Sequence, residues 1–165
     1  MAGFALVPSL LPRLSAAWSL SATAGGWLSG SFFCGYLVAV PLLVSLTDHL
    51  DARRIYLACV GISGVALLGF AVFADDLGSA VFWWWLVGLG LAGTYMPGLK
   101  AMTDRLPTTV QSRGTAFYTA TFGVGAGLSY LWIELAQPWL SWPSLFAVAS
   151  ACAACSLLLV RLCVA

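Results

Sequence analysis

The chain alternates long apolar runs with short polar islands, and the islands mark the element boundaries. Apolar runs cover residues 1–12, 23–46, 55–74, 80–99, 115–133 and 142–160. They stop at Pro12-Arg13, at Thr47-Asp48, at the pair Asp75-Asp76, at Lys100 with Asp104 and Arg105, at Glu134 and at Arg161. A helix rises about 1.5 Å per residue, so roughly 20 residues cross a hydrocarbon core of about 30 Å. Five of the six runs meet that length. The pattern predicts an all-α fold, a polytopic transmembrane helix bundle forming a single domain over residues 1–165. Its helices are expected at about 23–46, 55–74, 80–103, 113–135 and 142–162, after a partial one at 1–12.

The first run reaches only about 18 Å as a helix. It lacks the basic leader and small-residue cleavage site of a signal peptide. The expectation is a truncated first helix, missing its cytoplasmic half through a late start or because the chain is a fragment.

Composition narrows the class. Of 165 residues, 61% are hydrophobic and 8% charged, against about 25% charged in an ordinary soluble domain. Seven basic and six acidic side chains cannot cover a water-soluble body of this size. A soluble enzyme, a disordered tail and a basic nucleic-acid binder are excluded on that ground. The lipid bilayer is the expected surrounding, and no nucleic acid is expected as a partner.

The basic residues set the orientation. Arg53 and Arg54, then Lys100, Arg105 and Arg113, then Arg161 fall on one side of the alternating loops, while Arg13 joins Asp75, Asp76 and Glu134 on the other. The positive-inside rule places the first side in the cytoplasm of a multi-pass inner or plasma membrane protein. Trp18, Trp27, Trp83, Trp84, Trp85, Trp132, Trp139 and Trp142 all fall towards the opposite ends of their helices, the depth at which indole favours the headgroup layer.

Glycines are dense within the spans, and Gly123 with Gly127 forms a small-xxx-small pair of the kind that lets helices approach closely. Pro41 and Pro97 each remove a backbone hydrogen bond inside a span. The five cysteines sit in apolar stretches. Cys152 and Cys155 have ligand-like spacing but no nearby His or acid, so they read as packing residues, and neither metal nor cofactor is expected.

The loop from Val44 to Arg54 carries Leu46, Asp48 and Arg53-Arg54 in the order of the loop 2–3 signature G-x-L-a-D-r-x-G-r-r, with Val44, His49 and Asp51-Ala52 departing from it. Trp84 through Gly93 follows R-x-x-x-G-x-G-x-A-G, with Trp84 at the Arg position. Tyr95 through Lys100, Asp104-Arg105, Arg113-Gly114 and Trp142-Pro143-Ser144-Leu145-Phe146 continue the series. In this order the motifs resemble the N-terminal six-helix half of the major facilitator superfamily (MFS). The resemblance implies a secondary active transporter that moves a small-molecule substrate by alternating access. It also implies a partner for this half: a C-terminal half or a second copy.

Two groups of residues follow from that resemblance. Asp48, Arg53, Arg54, Asp104 and Arg113 match the family's cytoplasmic charge cluster, expected to tie the second, third and fourth helices together and to bias gating. Gly88, Ala92 and Tyr95 share one helical face, and Thr119, Phe122 and Gly123 another. Together with Tyr118 these are the expected lining of a substrate cavity. No Asp, Glu or His lies at mid-depth in a span, so proton coupling is not read from this stretch. A membrane enzyme would need a nucleophile with a base, or metal ligands; the one histidine, His49, lies in a loop without a second His. The alternative to a carrier is a small, non-catalytic structural or assembly membrane protein.

Overall fold

The structure, a computed structural model, describes residues 1–163, with side chains through Leu162; the side chain of Cys163 lies outside the described residues. Six helices follow one another: α1 Leu6–Trp18, α2 Ala22–Leu46, α3 Ala52–Phe73, α4 Leu77–Thr103, α5 Thr108–Ala136 and α6 Trp142–Cys163. No strand occurs among the described residues. Four helices, α2, α3, α4 and α6, are long and apolar enough to cross a membrane. The chain is a multi-pass helical bundle whose surroundings are lipid.

Two helices depart from the expected pattern. The first begins at Leu6 and runs through Pro12 and Arg13 to Trp18 instead of covering 1–12. Its buried stripe is Leu6, Val7, Leu10 and Leu14, four-residue spacing that continues straight through the polar island. Pro8 and Pro12 lie on the exposed side; Pro8 stands in the first turn, where a helix amide has no intrahelical partner to lose, and Pro12 removes the amide that would reach the Pro8 carbonyl. The helix stops at Ser19, which adopts the left-handed conformation (φ 51°), and its amide donates to the Ser15 carbonyl. At 13 residues α1 is about 20 Å long.

The second departure is α5. Its 29 residues exceed a bilayer's thickness, yet it falls outside the four helices apolar enough to cross one. Two of its mid-helix hydroxyls are closed internally: Thr119 donates to the Thr115 carbonyl at 2.9 Å and Thr121 to the Tyr118 carbonyl at 2.7 Å. A hydroxyl bonded to its own helix leaves little exposed hydrogen-bonding demand.

The centre of the bundle is α4, held between α2 and α3, with α6 on the far side of α3. Lipid tails are as apolar as leucine, so helices associate here by close packing rather than by expulsion of water. Glycines provide the closeness. A side chain at Gly35 would collide with the Trp85 carbonyl, and one at Gly88 with the Phe32 carbonyl, so α2 and α4 touch backbone to backbone. On the α3 side Gly90 approaches the backbone of Cys59 and Ser63, and Gly93 makes room for the Cys59 side chain. The expected small-xxx-small pair is different: nothing lies within 4 Å of where a side chain at Gly123 or Gly127 would begin. That pair faces open space because α5 packs through Ser129 and Ile133 on its other side.

Beside the glycines stands an aromatic core. Phe70 of α3 stacks on Phe146 of α6 at 4.0 Å, with an interplanar angle of 6°. Trp84 sets its ring 5.2 Å from Phe32 and 6.2 Å from Phe70. Trp84 is 1% exposed, so it belongs to the core and not to the headgroup layer where sequence position had set it. Trp139 at 87% and Trp27 at 71% exposed keep the character expected of interfacial indoles.

The helix ends are tied down by polar contacts. Asp76 caps α4: its carboxylate accepts from the Ser79 amide at 2.8 Å and from the Ser79 hydroxyl at 2.5 Å, which hold the carboxyl below the usual range. Arg13, in the second half of α1, donates to the Gln137 carbonyl at 2.8 Å and fastens the helix to the C-terminus of α5. At the start of α1, Ser129 accepts from the Ala5 amide at 3.0 Å and donates to the Ala2 carbonyl at 3.3 Å. That serine supplies a partner to one of the amides a helix N-terminus leaves unpaired.

Two glycine substitutions separate close packing from mere glycine content. Gly88→Leu must push α2 off α4 and should destabilise the bundle by about 3 kcal/mol or more. Gly123→Ala should fall within about 0.5 kcal/mol of the parent. Thermal unfolding of the purified proteins in one detergent measures both.

Candidate functional site

At the level where α1 begins, the bundle holds a half-open cavity of about 410 Å³. Met1 to Phe4 line its near side, and its walls come from α3 (Tyr56, Val60, Ser63, Leu67), α4 (Val87, Leu91, Thr94, Tyr95), α5 (Tyr118, Thr121, Phe122) and α6 (Ala149, Cys152, Ala153, Ser156), with Phe32 from α2. The side chains are aliphatic, aromatic or hydroxylic; none carries an ionisable carboxylate, lysine or arginine.

Local helix geometry aims these groups. On α4 the facing positions are Val87, Leu91, Thr94 and Tyr95, the i, i+4, i+7, i+8 stripe of one helical face. Tyr95 sets its ring 4.9 Å from Phe122 and 5.6 Å from Tyr118. The Tyr118 hydroxyl donates to the carbonyls of Tyr95 at 3.0 Å and Thr94 at 3.2 Å. These three aromatic rings form the seam between α4 and α5.

Of the expected lining, Tyr95, Tyr118 and Phe122 do face the cavity. Gly88 and Ala92 do not: both are buried in the packing of α4 against its neighbours. Thr119 and Gly123 are exposed on the outer side of α5. The difference is one of helical phase. One residue is about 100° of rotation, so shifting from 88 and 92 to 87 and 91, and from 119 and 123 to 118 and 122, turns packing or outer faces into the cavity face. Tyr56, Ser63, Thr94 and Ser156 were missed. A hydroxyl amid aliphatic residues signals little when any such group can bond its own helix, as Thr94 does to the Leu91 carbonyl at 2.9 Å.

The charged residues gather at the other candidate site, the end of the bundle where α2, α4 and α6 finish. A cleft of about 340 Å³ is lined there by Thr47, Leu50, Asp51 and Ala52 from the α2–α3 turn and by Lys100, Ala101, Asp104 and Arg105 from the end of α4. Lys100 and Asp104 form the one ion pair among the described residues, at 3.2 Å and well exposed. Exposed pairs of this kind contribute little to stability. Asp48 lies in an exposed turn outside the cleft lining, and the acid that faces α4 is Asp51. Asp51 also caps α3, accepting from the Arg53 amide at 2.8 Å. Arg53 keeps its Nε buried without a hydrogen-bond partner, whereas Arg54 and Arg113 are exposed. The five expected cluster residues thus share one end of the bundle without being joined to one another by ion pairs.

No group of three or more His, Cys, Asp or Glu that could hold a metal occurs among the described residues. Cys34, Cys152 and Cys155 are exposed free thiols, and Cys59 is buried against Gly93. What the arrangement offers is an uncharged pocket inside the bundle and a charged, jointed end, with α4 passing from one to the other.

Comparison with known proteins places this geometry. Over 133 residues the chain is 26% identical to Protein spinster homolog 1 of Xenopus laevis, an alignment covering 76% of this chain and 24% of that protein. The chain therefore spans about a quarter of the length of that relative. Residues 1–164 match the family profile described as Major Facilitator Superfamily, so a bundle with glycine-packed helices, an uncharged pocket and a basic end belongs to that superfamily.

Proposed function

We propose that this bundle is the N-terminal part of a secondary carrier that moves a small solute across the membrane by alternating access. The observation that carries the reading is the family match along residues 1–164. The cavity supports it: an uncharged pocket among helices is where a carrier of this type holds its solute. In this reading the solute meets aromatic rings and hydroxyls on this side of its site, Tyr56, Tyr95, Tyr118 and Thr121 among them. The basic end faces the cytoplasm in the cell membrane, as the positive-inside rule requires. The open faces of α2 and α5, where Gly26, Gly30, Gly123 and Gly127 touch nothing within 4 Å, receive a second bundle, either the rest of a longer chain or another copy.

The charge cluster takes a conformational role. In the arrangement described, Asp48 has no ion partner, so its contribution is made in the opposite state of the cycle, where dehydrated opposite charges shift the balance by about 1–3 kcal/mol. Asp48→Asn should leave thermal stability within about 0.5 kcal/mol of the parent. It should also slow solute uptake into vesicles carrying the product of the whole reading frame, at equal membrane levels. Unchanged uptake removes the role.

Two further outcomes test the site and the orientation. Tyr56→Phe keeps the ring and deletes a cavity hydroxyl, so KM for the transported solute should rise about 3- to 10-fold, the equivalent of one hydrogen bond. A panel of radiolabelled solutes taken up by vesicles supplies the assay. Cysteines placed at Asp75 should react with an impermeant maleimide added to intact cells, and those at Arg54 only after permeabilisation. The reverse pattern inverts the orientation.

A further inference from the structure

Between Leu91 and Gly98, α4 carries three features that soften a helix. The Thr94 hydroxyl bonds back to the Leu91 carbonyl at 2.9 Å, a pattern that bends helices. Pro97 removes the amide that would reach the Gly93 carbonyl. Gly98 follows it directly, and glycine favours helix less than any residue except proline. Beyond this step, the arm Pro97–Thr103 carries Lys100 and Ala101 to the cleft at the basic end, followed by Asp104.

One group from outside α4 holds the step. The Tyr118 hydroxyl of α5 donates to both the Thr94 and Tyr95 carbonyls. It can do so because residue 98 has no side chain: a Cβ on Gly98 would collide with that hydroxyl, and the Tyr56 ring fills the adjoining space at 3.3 Å. The same tyrosine lines the cavity. Its ring therefore stands where the pocket, the soft step and the α4–α5 seam meet.

We infer that Tyr118 is a positioning residue, a latch whose hydroxyl fixes the Thr94–Gly98 step of α4 to α5 and so couples the cavity to the opening and closing of the cleft lined by Leu50, Asp51, Ala101 and Asp104. The coupling to solute movement rests on the carrier reading; the latch itself does not. Releasing the hydroxyl frees the arm to swing about the Pro97 step. The half of α4 above the step stays in place, pinned by Gly88 and Gly90 to its neighbours.

Distance measurement between spin labels tests this without any solute. In the product of the whole reading frame with its native cysteines replaced, nitroxides at positions 50 and 101 report across the cleft, and a pair at Leu68 and Phe82 reports above the step. The parent should give one narrow distance distribution for each pair. Tyr118→Phe should widen the cleft distribution at least twofold or split it in two, leaving the upper pair unchanged. Gly98→Ala, which displaces the hydroxyl while Tyr118 remains, should do the same. Adding Pro97→Ala to Tyr118→Phe restores the missing amide and should return the cleft pair to one narrow distribution. The latch is overturned if the cleft distribution stays as narrow in Tyr118→Phe as in the parent. It is equally overturned if both pairs widen together, or if Pro97→Ala fails to rescue. A latch that passes these distance tests in a protein that takes up no solute would stand, while the carrier reading would fall.

Discussion

Backbone contact of α4 with α2 and α3 is the constraint on which the rest of the bundle depends. In water, burial of apolar surface would drive these helices together; in lipid that drive is absent, and what remains is dispersion between atoms that fit closely. Gly35 and Gly88 bring α2 and α4 into contact at the level of Phe32 and Trp85, and Gly90 and Gly93 let Cys59 and Ser63 of α3 close on the other side. With three helix axes set by their backbones, the large rings fall into fixed places. Trp84 can lie between Phe32 and Phe70, and Phe70 can stack on Phe146, only because the spacing of α2, α3 and α4 is already determined.

A rigid wall of this kind gives the more loosely packed elements something to act against. α1 is a short rod fastened at two points, by Ser129 near its start and by Arg13 reaching the C-terminus of α5. α5 in turn touches the wall through the Tyr95, Tyr118 and Phe122 seam, while its Ser129 binds the segment at the start of α1. The cavity lies between the wall and α6 on one side and α5 with the Met1–Phe4 segment that leads into α1 on the other, so part of its shape depends on less tightly held parts of the molecule. That division, one side fixed by glycine contact and the other by a few hydrogen bonds, is what a pocket needs in order to change shape without losing the bundle.

Much of this was legible in the order of residues, and the exceptions have physical reasons. Polar islands located five helices because charge is costly in hydrocarbon and must lie at an end. The same reasoning misplaced α1: Arg13 ends an apolar run, yet its side chain reaches a carbonyl across the bundle, and a buried leucine stripe carries the helix past it. The motif around Gly88–Gly93 lies at the centre of the bundle, but glycine spacing is silent about what each glycine meets: Gly88, expected in the pocket wall, packs on α2, and Gly123, expected both in that wall and in a close helix contact, meets neither. Tyr95, Tyr118 and Phe122, expected on helical faces with hydroxyls inside the spans, do line the cavity. Tyr56 and Ser63 did not stand out, since their role arises only when α3 is laid against α4. That Asp51, rather than Asp48, lines the cleft beside the end of α4 rests on the shape of one turn, which no spacing rule specifies.

The internally bonded hydroxyls of α5 have a consequence for how the protein is made. A segment of such modest hydropathy gains little by leaving the insertion machinery alone, whereas α4 and α6 on either side of it are apolar enough to partition by themselves. Its seat in the bilayer therefore depends on neighbours that precede and follow it in synthesis, and α5 is the segment whose integration most needs the nascent chain to have begun folding.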